Sequence, residues 1–113
     1  MAPGIDILAT WVPNTGLAPI GDDGYLLTDC AIISGTSMSC PHAAGIATLL
    51  NATHHDWSAA AIRSEMMTSA DVIDNTNGRI IDMITGVPGS PLDFRAGHTN
   101  PNKALDPGLV YRH

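Results

Sequence analysis

In the first half of the chain, small apolar residues recur behind a polar turn. Ala43, Ala44, Ile46, Ala47, Leu49 and Leu50 fall at helical spacing after Ser34-Gly35-Thr36-Ser37. The spacing predicts a buried helix that starts near Thr36 to Ser39, with Pro41 at the start, where a missing N–H costs nothing. Upstream, Ile5, Ile7 and Ala9 alternate with Asp6 and Leu8, so a short strand follows the Pro3-Gly4 turn. Trp11 to Cys30 holds Pro13, Gly16, Pro19, Gly21 and Gly24 and reads as loop, with Trp11 and Tyr25 as its anchors or as substrate-facing rings. Ala31 to Ser34 reads as the strand that leads into the helix.

Downstream the periodicity returns. A second helix is expected from about Ser58 to Ala70, with Ser58 as N-cap, Asp56 near the positive end of its dipole, and Ile62, Met66 and Ala70 as an inward stripe. Glu65 flanks that stripe. Asn75 to Gly78 ends in Asn-Gly, a hairpin-turn signal, with Val72-Ile73 and Arg79 to Met83 as arms. Gly86 to Pro91 is a further loop. Asn100-Pro101 opens a short helix through Leu105, and Asp106-Pro107-Gly108 closes it.

Composition narrows the classes of function. The 113 residues carry a net charge of −6, which argues against nucleic acid or an anionic membrane surface as partner. With 44% apolar and 14% charged residues, the chain is core-rich, as a piece of a larger domain would be. Its longest apolar run is too short to span a bilayer, and Met1 to Ala9 lacks the charged start and apolar core of a targeting signal. Cys30 and Cys40 read as a free pair rather than a disulfide, since two cysteines make no framework; metal-ligand spacing is absent and no cofactor motif is visible. Met38 is an oxidisable thioether whose ordinary role is wall packing.

Ser37 is the candidate nucleophile. At the mouth of a helix, backbone N–H groups lack internal partners and the dipole favours negative charge, so an oxyanion forming there meets main-chain donors. The same turn also serves as a plain helix cap. A serine hydroxyl needs a base, and the base needs an orienting group. His42 lies five residues on, roughly 140° around the helix, and so points elsewhere. His54, His55 and Asp56 lie between the two helices, where a 12-residue helix sets its ends on the order of 18 Å apart. His98 and His113 have no assignable partner.

Gly35-Thr36-Ser37-Met38-Ser39-Cys40-Pro41-His42, followed by Ala44-Gly45, resembles the nucleophile motif of the subtilisin-like serine proteases in their plant subtilase form. Three more segments resemble the family in the same order: MAPGIDILA at the start, His54-His55-Asp56-Trp57-Ser58 leading into AAAIRSEMMTSA, and AGHTNPNKALDPGLVY from Ala96 to Tyr111. The resemblance implies an α/β fold, the C-terminal portion of a mostly parallel sheet with packed helices. It covers residues 1–111 as one segment of a peptidase catalytic domain, with 112–113 as a tail. Ser37 matches the catalytic serine, its backbone N–H part of the oxyanion hole, and the substrates are polypeptides. The catalytic Asp and His, and the Asn of the oxyanion hole, come from segments upstream of the matched region; Asn14, Asn51 and Asp56 match none of them.

Three expectations follow from that likeness. One is a serine endopeptidase in a secreted parent, inert as this chain alone and completed by the N-terminal part of the same catalytic domain, with a prodomain as possible partner. Another is a catalytically dead module binding a peptide, prodomain or protease along an exposed strand edge. The last is a chain that misfolds without its sheet neighbours, because the Pro3 to Thr10 strand would be an unpaired edge. Departures from the family pattern are Glu65 and Arg95, each in place of a small residue, and Arg112-His113 at the end.

Overall fold

The structure, a computed structural model, describes residues 1–106; the expected Pro107-Gly108 stop, the Gly108 to Tyr111 end of the motif, Arg112 and His113 lie outside the described residues. Eight elements run in the order β1 (Ile7–Thr10), β2 (Ala18–Ile20), β3 (Gly24–Leu26), β4 (Cys30–Ile33), α1 (Thr36–Thr53), α2 (Ala59–Thr68), α3 (Pro91–Phe94) and α4 (Pro101–Ala104). Strands lead and helices follow, and the α/β class expected from the sequence holds. The chain divides into two compact units, Pro3–Cys40 and Pro41 onward with Met1–Ala2, and the division falls inside α1.

In the Pro3–Cys40 unit, β1 pairs antiparallel with β4, Leu8 opposite Ile32 and Ala9 opposite Ala31. Alternation turns Ile7, Ala9, Ala31 and Ile33 inward and leaves Leu8 and Ile32 outward, 69% and 65% exposed. The expectation of an unpaired first strand is therefore corrected: β4 supplies one neighbour, and Trp11 N–H to Asp29 O at 2.7 Å extends the ladder. The strand pairs among the described residues are antiparallel.

The Trp11 to Cys30 loop is corrected as well, because it contains the β2–β3 hairpin, with Pro19 opposite Tyr25. Pro19 is tolerated because each strand of a two-stranded ribbon keeps a free edge for a residue with no N–H. Trp11 anchors the segment by donating its indole N–H to Thr15 O at 3.2 Å. Tyr25 lies against Gly16, where an added Cβ would sit 2.7 Å from the ring.

In the other unit, α2 starts as expected: Ser58 is extended and its hydroxyl accepts from Ala61 N–H. The inward stripe differs. Ala61, Ser64 and Glu65 are buried, whereas Ile62, Met66 and Ala70 are half-buried. The helix packs against α4, whose Ala104 is buried. Leu50 of α1 is the largest apolar side chain to be fully buried.

The expected Asn-Gly turn forms, with its arms reduced to the single bridge Ile73 to Arg79, while Ile81 bridges to Pro88 around the next turn. Asp74 builds it by accepting from Thr76 N–H, Thr76 hydroxyl and Gly78 N–H, while Asn77 takes the left-handed φ of 62°. Asp82 holds the next turn through Ile84 N–H, Thr85 N–H and Thr85 hydroxyl. Asn100 caps α4 by accepting from Lys103 N–H and donates to Asp71, which also pairs with Lys103. Beside it, Gly97 passes Asp71 so closely that a Cβ would lie 2.1 Å from the Asp71 carbonyl oxygen, at a φ of 114°.

Candidate active site

Strand β4 ends at Ile33 and helix α1 begins at Thr36, so Ser34-Gly35 is the whole connection, and Ser37 is the second helical residue. Two sets of contacts fix this turn from within its own unit. Asp6 N–H donates to Ser34 Oγ at 2.9 Å, and Ser34 hydroxyl donates back to Asp6 Oδ1 at 3.3 Å. Gly35 N–H donates to Gly4 O at 2.7 Å. The Pro3-Gly4 turn runs so near that a Cβ on Gly4 would fall 2.2 Å from Ser39 Oγ and 2.9 Å from Gly35 O. Only glycine fits there.

Ser37 is exposed at the head of the 18-residue helix α1. Met38 N–H donates to Gly35 O at 3.0 Å and tightens the first turn. Among the described residues, the Ser37 N–H and hydroxyl have no hydrogen-bond partner. An exposed hydroxyl, an amide outside the helix ladder and the positive end of a long helix dipole together suit a nucleophile beside an anion cradle.

Pro41 corrects a detail of the expectation. It lies sixth in α1, past the first turn, so its missing N–H and its ring fall where the helix would return a bond to the Ser37 carbonyl. That carbonyl is released from the ladder. The chain accepts a helix-interior proline only one turn from the end, where few bonds remain to be broken.

The unit that carries Ser37, Pro3–Cys40, contains no histidine. His42 is half-buried on α1. His54 stacks on Trp57, centroids 4.0 Å apart and planes 8° from parallel, while His55 and Asp56 are exposed in the following turn. His98 is exposed, with Nδ1 3.1 Å from Thr99 O. Asn14 has a left-handed φ of 66° in a turn, and Asn51 is exposed on α1.

Cys30 and Cys40 are both exposed and free in this structure. Among the described residues, no group of three or more His, Cys, Asp or Glu could hold a metal ion, and no helix is long and apolar enough to cross a membrane.

Four carboxylates sit below the usual range for aspartate, each for a named reason. Lys103 and Asn100 hydrogen-bond Asp71; Thr76 and Gly78 do so for Asp74, Thr85 and Ile84 for Asp82, and Ser90 for Asp93. Glu65 goes the other way, pushed up by burial against partial relief from Thr68 and His54. Its interior position was not legible in the sequence, where Glu65 was expected only to flank the inward stripe.

The Subtilase family model matches residues 2–103. The chain is 54% identical over 111 residues to the subtilisin-like protease SBT3 of Solanum lycopersicum, covering 98% of this chain and 15% of that protein. It is 48% identical over 111 residues to the subtilisin-like protease SBT1.5 of Arabidopsis thaliana, covering 98% and 14%. With the subtilisin-like serine-protease S of Lotus japonicus it shares 45% over 109 residues, covering 96% and 14%. The chain thus spans about one seventh of the curated relatives it matches. Ser37, Gly4 and the turn between β4 and α1 all lie inside the matched region, and the chain belongs to the subtilase family of serine proteases.

Proposed function

We propose that this chain is the nucleophile-bearing segment of a serine endopeptidase. In the complete catalytic domain Ser37 attacks the peptide carbonyl, an imidazole from upstream sequence takes and returns its proton, and an upstream carboxylate orients that imidazole. The Ser37 N–H stabilises the tetrahedral oxyanion. The observation that carries this reading is an exposed, unpartnered Ser37 hydroxyl at the head of α1, on a turn that Gly4 and Asp6 hold from the side. The parent enzyme is secreted, and its polypeptide substrate reaches Ser37 from the exposed side.

Alone, the chain is inert. Losing a key member of such a triad costs about a millionfold in subtilisin turnover. Labelling with a fluorophosphonate probe tests this against a Ser37→Ala control. The expected result is no serine-dependent labelling of the 113-residue chain, and its appearance when the Asp- and His-bearing segments of a relative are supplied in trans. Labelling of the chain by itself would defeat the reading.

A second reading rests on a different observation. The outward face of the β1–β4 ribbon shows Leu8 and Ile32 side by side and exposed, and β1 keeps one edge unpaired among the described residues. A catalytically dead module would bind a prodomain, a protease or an extended peptide there. Co-purification of such a partner with the Ser37→Ala chain, lost on Leu8→Lys, supports it.

A further inference from the structure

Asn51-Ala52-Thr53 is an Asn-x-Thr triplet with no proline in the middle. The chain holds no second one, because Asn14, Asn75, Asn77, Asn100 and Asn102 each lack a serine or threonine two places on. Such a triplet is the acceptor motif for N-linked sugar, which uses the amide of its first residue and the hydroxyl of its third. Three residues meet by chance often enough that the motif alone decides little. Where the fold puts them decides more.

All three residues are exposed, and they form the last turn of α1. Asn51 continues an exposed row of short side chains with Ala44 and Thr48 at helical spacing, while the neighbouring Leu50, about 100° around the helix, is fully buried. A bulky group on Asn51 therefore extends into solvent and leaves the packed side of α1 alone. Among the described residues, the Asn51 side-chain amide has no hydrogen-bond partner, and the Thr53 hydroxyl donates to Leu49 O at 3.0 Å. The last carbonyls of a helix lack partners within it, and α1 has no basic residue in its last turn to offset them. A terminal turn of this kind opens at little cost, which frees the Thr53 hydroxyl and lets the triplet enter an enzyme's site.

We propose that Asn51 is a site of N-glycosylation. The donor is an oligosaccharide joined to a lipid through a diphosphate. Asn51 Nδ2 bonds to the anomeric carbon of that sugar, the bond from the same carbon to the diphosphate oxygen breaks, the lipid diphosphate leaves, and one amide proton is released. The proposal rests on the protease reading in one respect, the passage of a secreted parent through the compartment that holds this donor. A sugar there keeps the end of α1 facing solvent in the parent enzyme as well.

The test makes the 113-residue chain behind a supplied signal sequence in cultured mammalian cells and scores only chains whose signal has been cleaved, since those have entered the lumen. Wild type is compared with Asn51→Gln, Thr53→Ala and Thr53→Ser. The expected result is a slower band for wild type and Thr53→Ser that collapses to the faster one on treatment with peptide-N-glycosidase F, and the faster band alone for Asn51→Gln and Thr53→Ala. Transfer of sugar does not require a folded acceptor, so a variant that folds poorly still reports. A signal-cleaved wild-type chain without sugar would overturn the proposal, as would a slower band that survives Asn51→Gln or Thr53→Ala. Because the signal is supplied, such a failure counts against Asn51 and not against secretion of the parent, which is read separately from where the parent enzyme is found.

Discussion

Arg95 sits at φ 56° and ψ −119°, a region that glycine enters freely and a side chain enters only under strain. A small residue was the expectation at this position, and the backbone gives a physical reason for one. Arg95→Gly should therefore stabilise the chain by about 1–2 kcal/mol, read from a shift in the urea midpoint. The reverse experiment is available at Gly97, where a Cβ meets the Asp71 carbonyl: Gly97→Ala should cost about 2–4 kcal/mol by the same measurement. Resemblance to the family could flag Glu65 and Arg95 as unusual, but not say what each does. Burial at 2% depends on contacts between distant segments, which no local pattern encodes.

At the level of elements, legibility follows the strength of local chemistry. Ser58 was readable as a cap because a hydroxyl before an alanine-rich run satisfies donors that the helix itself cannot. Ser58→Ala should cost about 1 kcal/mol, with the loss of helical signal on urea titration as the measure. The Asn77-Gly78 turn was equally plain. Asp74 adds a pH dependence to it: its carboxyl is lowered by Thr76 and Gly78, so the stability it contributes is present above the ordinary aspartate range and lost as pH falls through the lower, folded value. Asp74→Asn keeps an acceptor oxygen and should flatten that acid limb of the stability profile. The β2–β3 hairpin escaped the sequence because Pro19 and three glycines outweigh its few apolar positions; its register, Ala18 opposite Leu26 through Ile20 opposite Gly24, is set by pairing rather than by composition. Pro41 misled for the opposite reason: proline near a helix start is so common in the first turn that its sixth place was not distinguishable.

For the molecule as a whole, the motif around Ser37 was legible because a strand, a tight turn and a helix mouth are written in consecutive residues. Strand pairing was less so. The family's parallel sheet suggested a lone β1, but β4 lies within reach and pairs with it. What the pair leaves outward, Leu8 beside Ile32, is an apolar surface of a kind that larger assemblies cover. Replacing both by threonine should cut binding of a hydrophobic dye and lower self-association by light scattering, while leaving the melting of the ribbon nearly unchanged.

Cys30 and Cys40 are both exposed and joined by no disulfide. In an oxidising medium they can be joined chain to chain, so a covalent dimer band on a gel run without reductant would record air and handling rather than quaternary design. Alkylating both thiols before sizing, and finding the band gone, distinguishes preparation from biology.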